Sequence, residues 1–169
     1  KYFFSNTASD LTATGQTGSA VSKTLVTTGQ SSGTWTPSLT GTNSGTEFNI
    51  NEASFFVGSG LAASAYNANA GYYSTVSLSV TTGNTNMRYC ARLVRVDSSG
   101  AVVAWGPWAG YSSSGATGTY TFNCSWNGLG TFASGDRLRV DARMHNNGSN
   151  TSGQTATLRT GRVLATGDD

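Results

Sequence analysis

Charge is scarce in this chain. Asp, Glu, Lys and Arg together make up 11% of its 169 residues, under half of the roughly 25% usual in globular proteins. That excludes a coiled coil or a charged-helix bundle. Proline and cysteine contribute 2 residues each and histidine only 1. A lone histidine with Cys90 and Cys124, which stand far apart in the chain, does not make a zinc-ligand spacing. The two thiols allow a single disulfide at most, and sequence alone leaves paired and free equally open. No apolar run approaches the roughly 18 residues of a membrane-crossing helix, so membrane insertion is not expected. The net charge of +2 is too small to argue for nucleic acid.

Groups able to carry acid–base or nucleophilic chemistry are just as thin. His145 sits in an Asn- and Gly-rich turn, where a solvated turn residue is the simplest reading. The carboxylates are Asp10, Glu47, Glu52, Asp97, Asp136, Asp141, Asp168 and Asp169. Glu47 and Glu52 have opposite strand parity, so they would not face each other as a glycosidase pair. Asp136 and Asp141 stand among Arg137, Arg139 and Arg143, which reads as charge compensation. Nucleophile-elbow, zinc-helix and phosphate-loop motifs do not occur. The expectation is a protein that is not an enzyme, with no catalytic residues, no metal and no cofactor.

What is abundant is Ser, Thr and Gly, the last with 22 residues, set around short runs of period two. Val76, Leu78 and Val80 share one face of a run from Tyr73. Tyr120, Phe122 and Cys124 share a face of the next, and Leu138, Val140, Ala142 and Met144 a face of the last, with Arg137, Arg139, Asp141 and Arg143 opposite. Such alternation describes strands with one dry and one wet face. Further strands are expected within 21–27, 47–57, 87–96, 101–105 and 154–164. Asp97-Ser98-Ser99-Gly100 reads as a hairpin loop between two of them. The one helical candidate is Leu61–Tyr66. The fold expected is all-β: an antiparallel two-sheet sandwich, jelly-roll-like, with an immunoglobulin-like Greek key as the alternative. Residues 1–19 read as an N-terminal strand or arm and 20–169 as one sandwich domain. Tyr2, Phe3 and Phe4 would be the apolar anchors of that arm on a partner.

Basic residues are unevenly placed. Eight are arginines, and all of them lie from Arg88 onward. Arg88 and Arg92 share parity, as do Arg137, Arg139 and Arg143. If their strands are neighbours, they form one arginine-rich face. Arg pairs with carboxylates, stacks on aromatic rings and is weakly hydrated, which suits a protein interface; the competing reading is a solvated face. Trp105, Trp108 and Tyr111 cluster in a Gly- and Pro-containing segment. They are a candidate platform for stacking sugars, set against the commoner role of closing the end of a sandwich.

Two stretches, ARLVRVDSSGAVV (Ala91–Val103) and TFASGDRLRVDARMHNNG (Thr131–Gly148), together with the opening KYFFSNTASDLTATG, resemble small β-sandwich virion structural proteins of tailed bacteriophages. The resemblance implies a capsid decoration (cement) protein or a tail or fibre domain located in the virion. It implies the major capsid protein or other virion proteins as partners, and assembly as a homo-oligomer, with a trimer favoured. The alternative expectation is a glycan- or receptor-binding module, of a tail fibre or of a secreted adhesin, that meets a cell-surface glycan through the Trp105–Tyr111 segment.

Overall fold

The computed structural model describes residues 3–15, 21–26, 33–35, 38–39, 52–57, 71–82, 85, 87–146, 154–155 and 157–160. All of its regular structure is β. In chain order the strands are β1 (Phe3–Ala8), β2 (Val21–Val26), β3 (Gly33–Trp35), β4 (Ser38–Leu39), β5 (Glu52–Val57) and β6 (Tyr73–Thr82). They continue with β7 (Met87–Val96), β8 (Val102–Trp105), β9 (Gly118–Ser125), β10 (Arg137–Asn146), β11 (Gln154–Thr155) and β12 (Thr157–Thr160). The helical candidate Leu61–Tyr66 lies outside the described residues.

Six strands form one sheet in the order β1-β2-β5-β10-β7-β8, and four form a second in the order β3-β12-β6-β9. The short pair β4/β11 keeps the register of β3/β12. Trp35 faces Leu158 and Ser38 faces Thr155, equal steps along both strands, with β4/β11 forming a two-stranded sheet of its own. The chain passes repeatedly from one sheet to the other. After β2 it enters the second sheet as β3 before returning as β5, and it comes back in the same direction. β2 and β5 are therefore parallel, with Ser22 opposite Ser54 and Thr24 opposite Phe56. Every other strand pairing among the described residues is antiparallel, as expected of the two-sheet sandwich; a crossover through another layer is what allows the one parallel neighbour.

The period-two residues meet between the sheets. Val76, Leu78 and Val80 of β6 and Phe122 and Cys124 of β9 come from one side. Phe55, Tyr89, Leu93, Leu138, Val140 and Met144 come from the other, and all are buried in a single cluster. Trp126 closes this core at one end, its indole Nε1 donating to Ser74 Oγ at 2.7 Å and its ring centre 5.9 Å from that of Phe132. The Asp97–Gly100 turn forms as read. Asp97 Oδ1 accepts from the Ser99 and Ala101 N–H groups at 2.8 and 2.9 Å, and Gly100 takes a φ of 90°.

No disulfide joins the two cysteines, which lie on opposite sides of the six-stranded sheet. Cys124 projects into the core. Cys90 lies opposite Arg143 on the other side of the six-stranded sheet. Burial pushes the Cys124 thiol up to about 12, so it stays protonated and unreactive.

Candidate functional site

The outer face of the six-stranded sheet gathers most of the residues that the sequence singled out. β7 and β10 pair in full register, with Asp141 opposite Arg92, Arg143 opposite Cys90 and His145 opposite Arg88. Arg88, Arg92, Arg137, Arg139 and Arg143 thereby share one face, as parity required. That face is not the wet surface expected from alternation: Arg139 and Asp141 are both fully buried.

Two layers cover it. The first is the segment after β1. Leu11 is buried with Phe56, Val94 and Val96, and Ala13 and Val102 pack against them. Asp10 receives both Arg137 Nη1 and Nη2, at 2.9 and 3.1 Å. This fork holds the Asp10 carboxyl below its usual range. Arg139 Nη1 donates to the Thr14 carbonyl at 3.0 Å, and Gly15 passes over the edge of Trp105, where a Cβ would sit 2.7 Å from the ring. The opening segment was expected to take its order from a partner. Within the chain, Phe4 packs against Phe55 with tilted rings whose centres are 4.3 Å apart, and residues 9–15 strap the chain's own sheet. An amphipathic stretch buries its apolar side on the nearest dry surface, and here that surface is intramolecular. Of the other two expected anchors, Tyr2 and the Phe3 side chain lie outside the described residues.

The second layer is the chain leaving β8. Gly106 N–H donates to the Leu93 carbonyl at 2.9 Å, Ala109 to Ala91 at 2.9 Å and Ser112 to Tyr89 at 2.8 Å. The segment thus advances three residues for every two of β7, a repeatedly bulged pairing. Residues at three-residue spacing then occupy equivalent positions, which is why Trp105, Trp108 and Tyr111 all lie over the outer face. A strictly alternating strand would send Trp108 to the side opposite Trp105. Gly106 is required by close approach, since a Cβ there would come within 2.8 Å of the Leu93 carbonyl oxygen.

The aromatic row and the arginine row interlock. The Arg92 guanidinium lies 3.9 Å from the Trp105 ring centre and 4.2 Å from that of Trp108. Arg143 lies 4.1 Å from the Trp108 ring centre and Arg139 5.2 Å from that of Trp105. Each partly desolvated cation–π contact contributes about 0.5–2 kcal/mol. Beyond Trp108, the Tyr111 ring meets His145 edge-on at 4.5 Å. Burial, and then the neighbouring Arg143 and Arg88 charges, lower the His145 pKa and keep its imidazole neutral.

Asp141 is the pivot under this wall. Its Oδ1 accepts from Ser54 Oγ at 2.8 Å, and its Oδ2 accepts from Arg92 Nε at 3.0 Å and Arg139 Nη2 at 3.2 Å. Arg139 Nε is also 2.7 Å from Oδ1. A buried carboxylate with this many charge-assisted donors holds its cations in fixed orientations. Sequence reading had placed Asp141 only as charge compensation and had not seen Ser54 or Thr14. Its position between Arg139 and Arg143, on one face of one strand, was the available signal.

The chain matches no family model, no curated protein and no solved structure.

The site's character follows from its own geometry. Arg92, Arg139 and Arg143 among the candidate interface residues and Trp105 and Trp108 of the candidate glycan platform engage one another, with the buried Asp141 beneath them. Trp105 and Trp108 are each approached by two guanidinium groups, and Trp105 and Tyr111, at the ends of the row, keep part of their surface exposed.

Proposed function

We propose that the chain is a non-enzymatic structural domain of a virus particle, of the capsid decoration or tail-fibre kind, with other virion proteins as partners. One observation carries this reading. The three stretches that resemble virion proteins are scattered in sequence but contiguous in space. The opening stretch forms β1 and the strap, Ala91–Val103 forms most of β7 with its turn and the start of β8, and β10 belongs to Thr131–Gly148. They are tied together by Asp10 to Arg137, Thr14 to Arg139 and Thr14 Oγ1 to the Gly100 carbonyl. A resemblance that converges on one cross-braced wall is expected of a single mechanical unit.

The second support is the opposite surface. The outer side of β6 and β9 presents Thr75, Ser77, Thr81, Thr119, Thr121 and Asn123, all exposed and uncharged. Tyr72 and Tyr73 stand exposed at the start of β6. A row of uncharged polar residues of this kind suits subunit packing through many weak contacts. Mass measurement of the proteins in purified particles, with copy number, tests the reading. Many copies per particle place the domain on the capsid and a few place it on the tail; absence from the particle overturns it.

A further inference from the structure

The outer strands of the two sheets are not alike. β8 runs for 4 residues and β3 for 3, and β1 slips its register between Phe4 and Ala8. β9, at the edge of the four-stranded sheet, pairs with β6 over all 8 of its residues without a slip, from Gly118 opposite Val80 to Ser125 opposite Tyr73. It contains no proline and no charge. Shortness, bulges, charge and proline are the usual devices that blunt an edge, and β9 has none of them.

The ladder fixes which of its backbone groups are free. The Trp126 N–H donates to the Tyr72 carbonyl at 3.0 Å, so these two residues form a hydrogen-bonded pair that continues the β9/β6 register. Such pairs alternate along an antiparallel ladder. Gly118, Tyr120, Phe122 and Cys124 therefore turn their amides and carbonyls toward β6. Those of Thr119, Thr121 and Asn123 turn the other way, where no strand among the described residues pairs with β9. All three residues are exposed. The next outward carbonyl, that of Ser125, is crowded: a Cβ on Gly106 would come within 3.1 Å of it. The open edge ends at Asn123.

These three residues are complementary to themselves. In an antiparallel pair centred on Thr121, that residue meets its own counterpart and Thr119 meets Asn123, so every outward amide finds an outward carbonyl. On the outer face the opposed side chains are Thr with Thr and Thr with Asn, which bring no like charges together. On the inner face Tyr120, half-buried against the core, comes opposite Phe122 of the other copy. We propose that two copies of this chain associate through β9 in this two-fold arrangement, joining two four-stranded sheets into one of eight strands. A foreign strand would have to match the run by chance, whereas a second copy matches it by symmetry. The assembly is a dimer, in place of the trimer that the resemblance to virion proteins implies, and it does not depend on the particle reading.

Sedimentation velocity of the full chain from about 10 µM to about 1 mM tests the proposal, because one strand pair buries less than roughly 1,200 Å² and such interfaces dissociate readily. The mass is expected to rise toward that of the dimer. Thr121→Pro removes an outward amide and none that β6 uses, a place where an edge strand accepts proline. It should keep its β-sheet circular dichroism and weaken the dimer at least about tenfold. Thr121→Cys gives a readout that does not need the proline variant to fold. Opposed residues of a hydrogen-bonded pair have Cα atoms about 5.5 Å apart, within disulfide range. The variant should therefore oxidise to a covalent dimer, since the native Cys90 and Cys124 are buried and do not compete. Ser77→Cys, exposed on the same face but one strand inward, should not. A chain that stays monomeric across the whole concentration range overturns the proposal. So does a dimer that a folded Thr121→Pro leaves intact, or cross-linking of Thr121→Cys no faster than that of Ser77→Cys.

Discussion

The two outer faces of the sandwich are built from the same alternating pattern and have opposite characters. On the four-stranded sheet, outward Thr75, Ser77, Thr119 and Thr121 are exposed, with Ser77 Oγ 3.4 Å from Thr121 Oγ1. On the six-stranded sheet, outward Arg139 and Asp141 are buried and locked to each other and to the half-buried Arg92. Alternation decides which residues enter the shared core. What lies over the other side is decided by which segments of the chain have an apolar stripe and enough length to return across it. The strap with Leu11 and the bulged Trp105–Tyr111 segment both return over one sheet.

The most severe way to break this contrast is to remove the pivot. Asp141→Ala leaves Arg139 buried without its carboxylate and should destabilise the fold by about 3–5 kcal/mol. Thr121→Ala on the opposite face should stay within about 0.5 kcal/mol of the parent. Urea unfolding of both variants reads the difference directly, and similar midpoints would mean that the two faces do not differ energetically. Trp108→Ala strips two guanidinium groups of their ring at once, with an expected loss of about 2 kcal/mol in the same measurement. Gly15→Ala forces a side chain onto a backbone with a φ of 70° and against the Trp105 ring. A loss of about 1 kcal/mol is expected, with faster amide exchange at 11–14 and unchanged exchange in β6 and β9.

The smallest effect concerns pH. The folded-state pKa of His145 lies below the ordinary value of 6.5. As pH falls through that value the unfolded chain takes up a proton that the folded chain refuses, so stability decreases with acidification until the folded pKa is reached. The groups around the ring are Arg143, Arg88 and Tyr111. Replacing His145 with Gln should flatten the dependence of melting temperature on pH just below 6.5. No variant on the β6/β9 surface should alter that slope.

Much of the architecture was legible in advance, because period-two hydrophobicity is a local property. Val76, Leu78, Val80, Phe122, Leu138, Val140 and Met144 are all inside. The sharing of a face by the arginines of β7 and β10 also followed from parity. The parallel β2/β5 pair was not legible, since it depends on a crossover set by the order of strands in space. Nor was the burial of Arg139 and Asp141, because nothing within LRVDARM says that another segment will cover it. The joining of the tryptophans to the arginines was hidden for a specific reason. Trp105, Trp108 and Tyr111 are spaced by three, and that spacing matches a strand only where the pairing is bulged at every step.

The same bulges have a consequence for how the molecule behaves among copies of itself. A flat edge strand offers its free amides and carbonyls at a constant repeat, and another chain can add to it without limit. The edge from Val102 to Ser112 offers only four regular residues before its spacing slips against β7. It also carries Pro107, which has no amide hydrogen to give. A strand arriving from a neighbour finds no continuous template there. The irregularity that lines up the aromatic rings therefore also guards this side of a Ser- and Thr-rich β protein against fibrous growth.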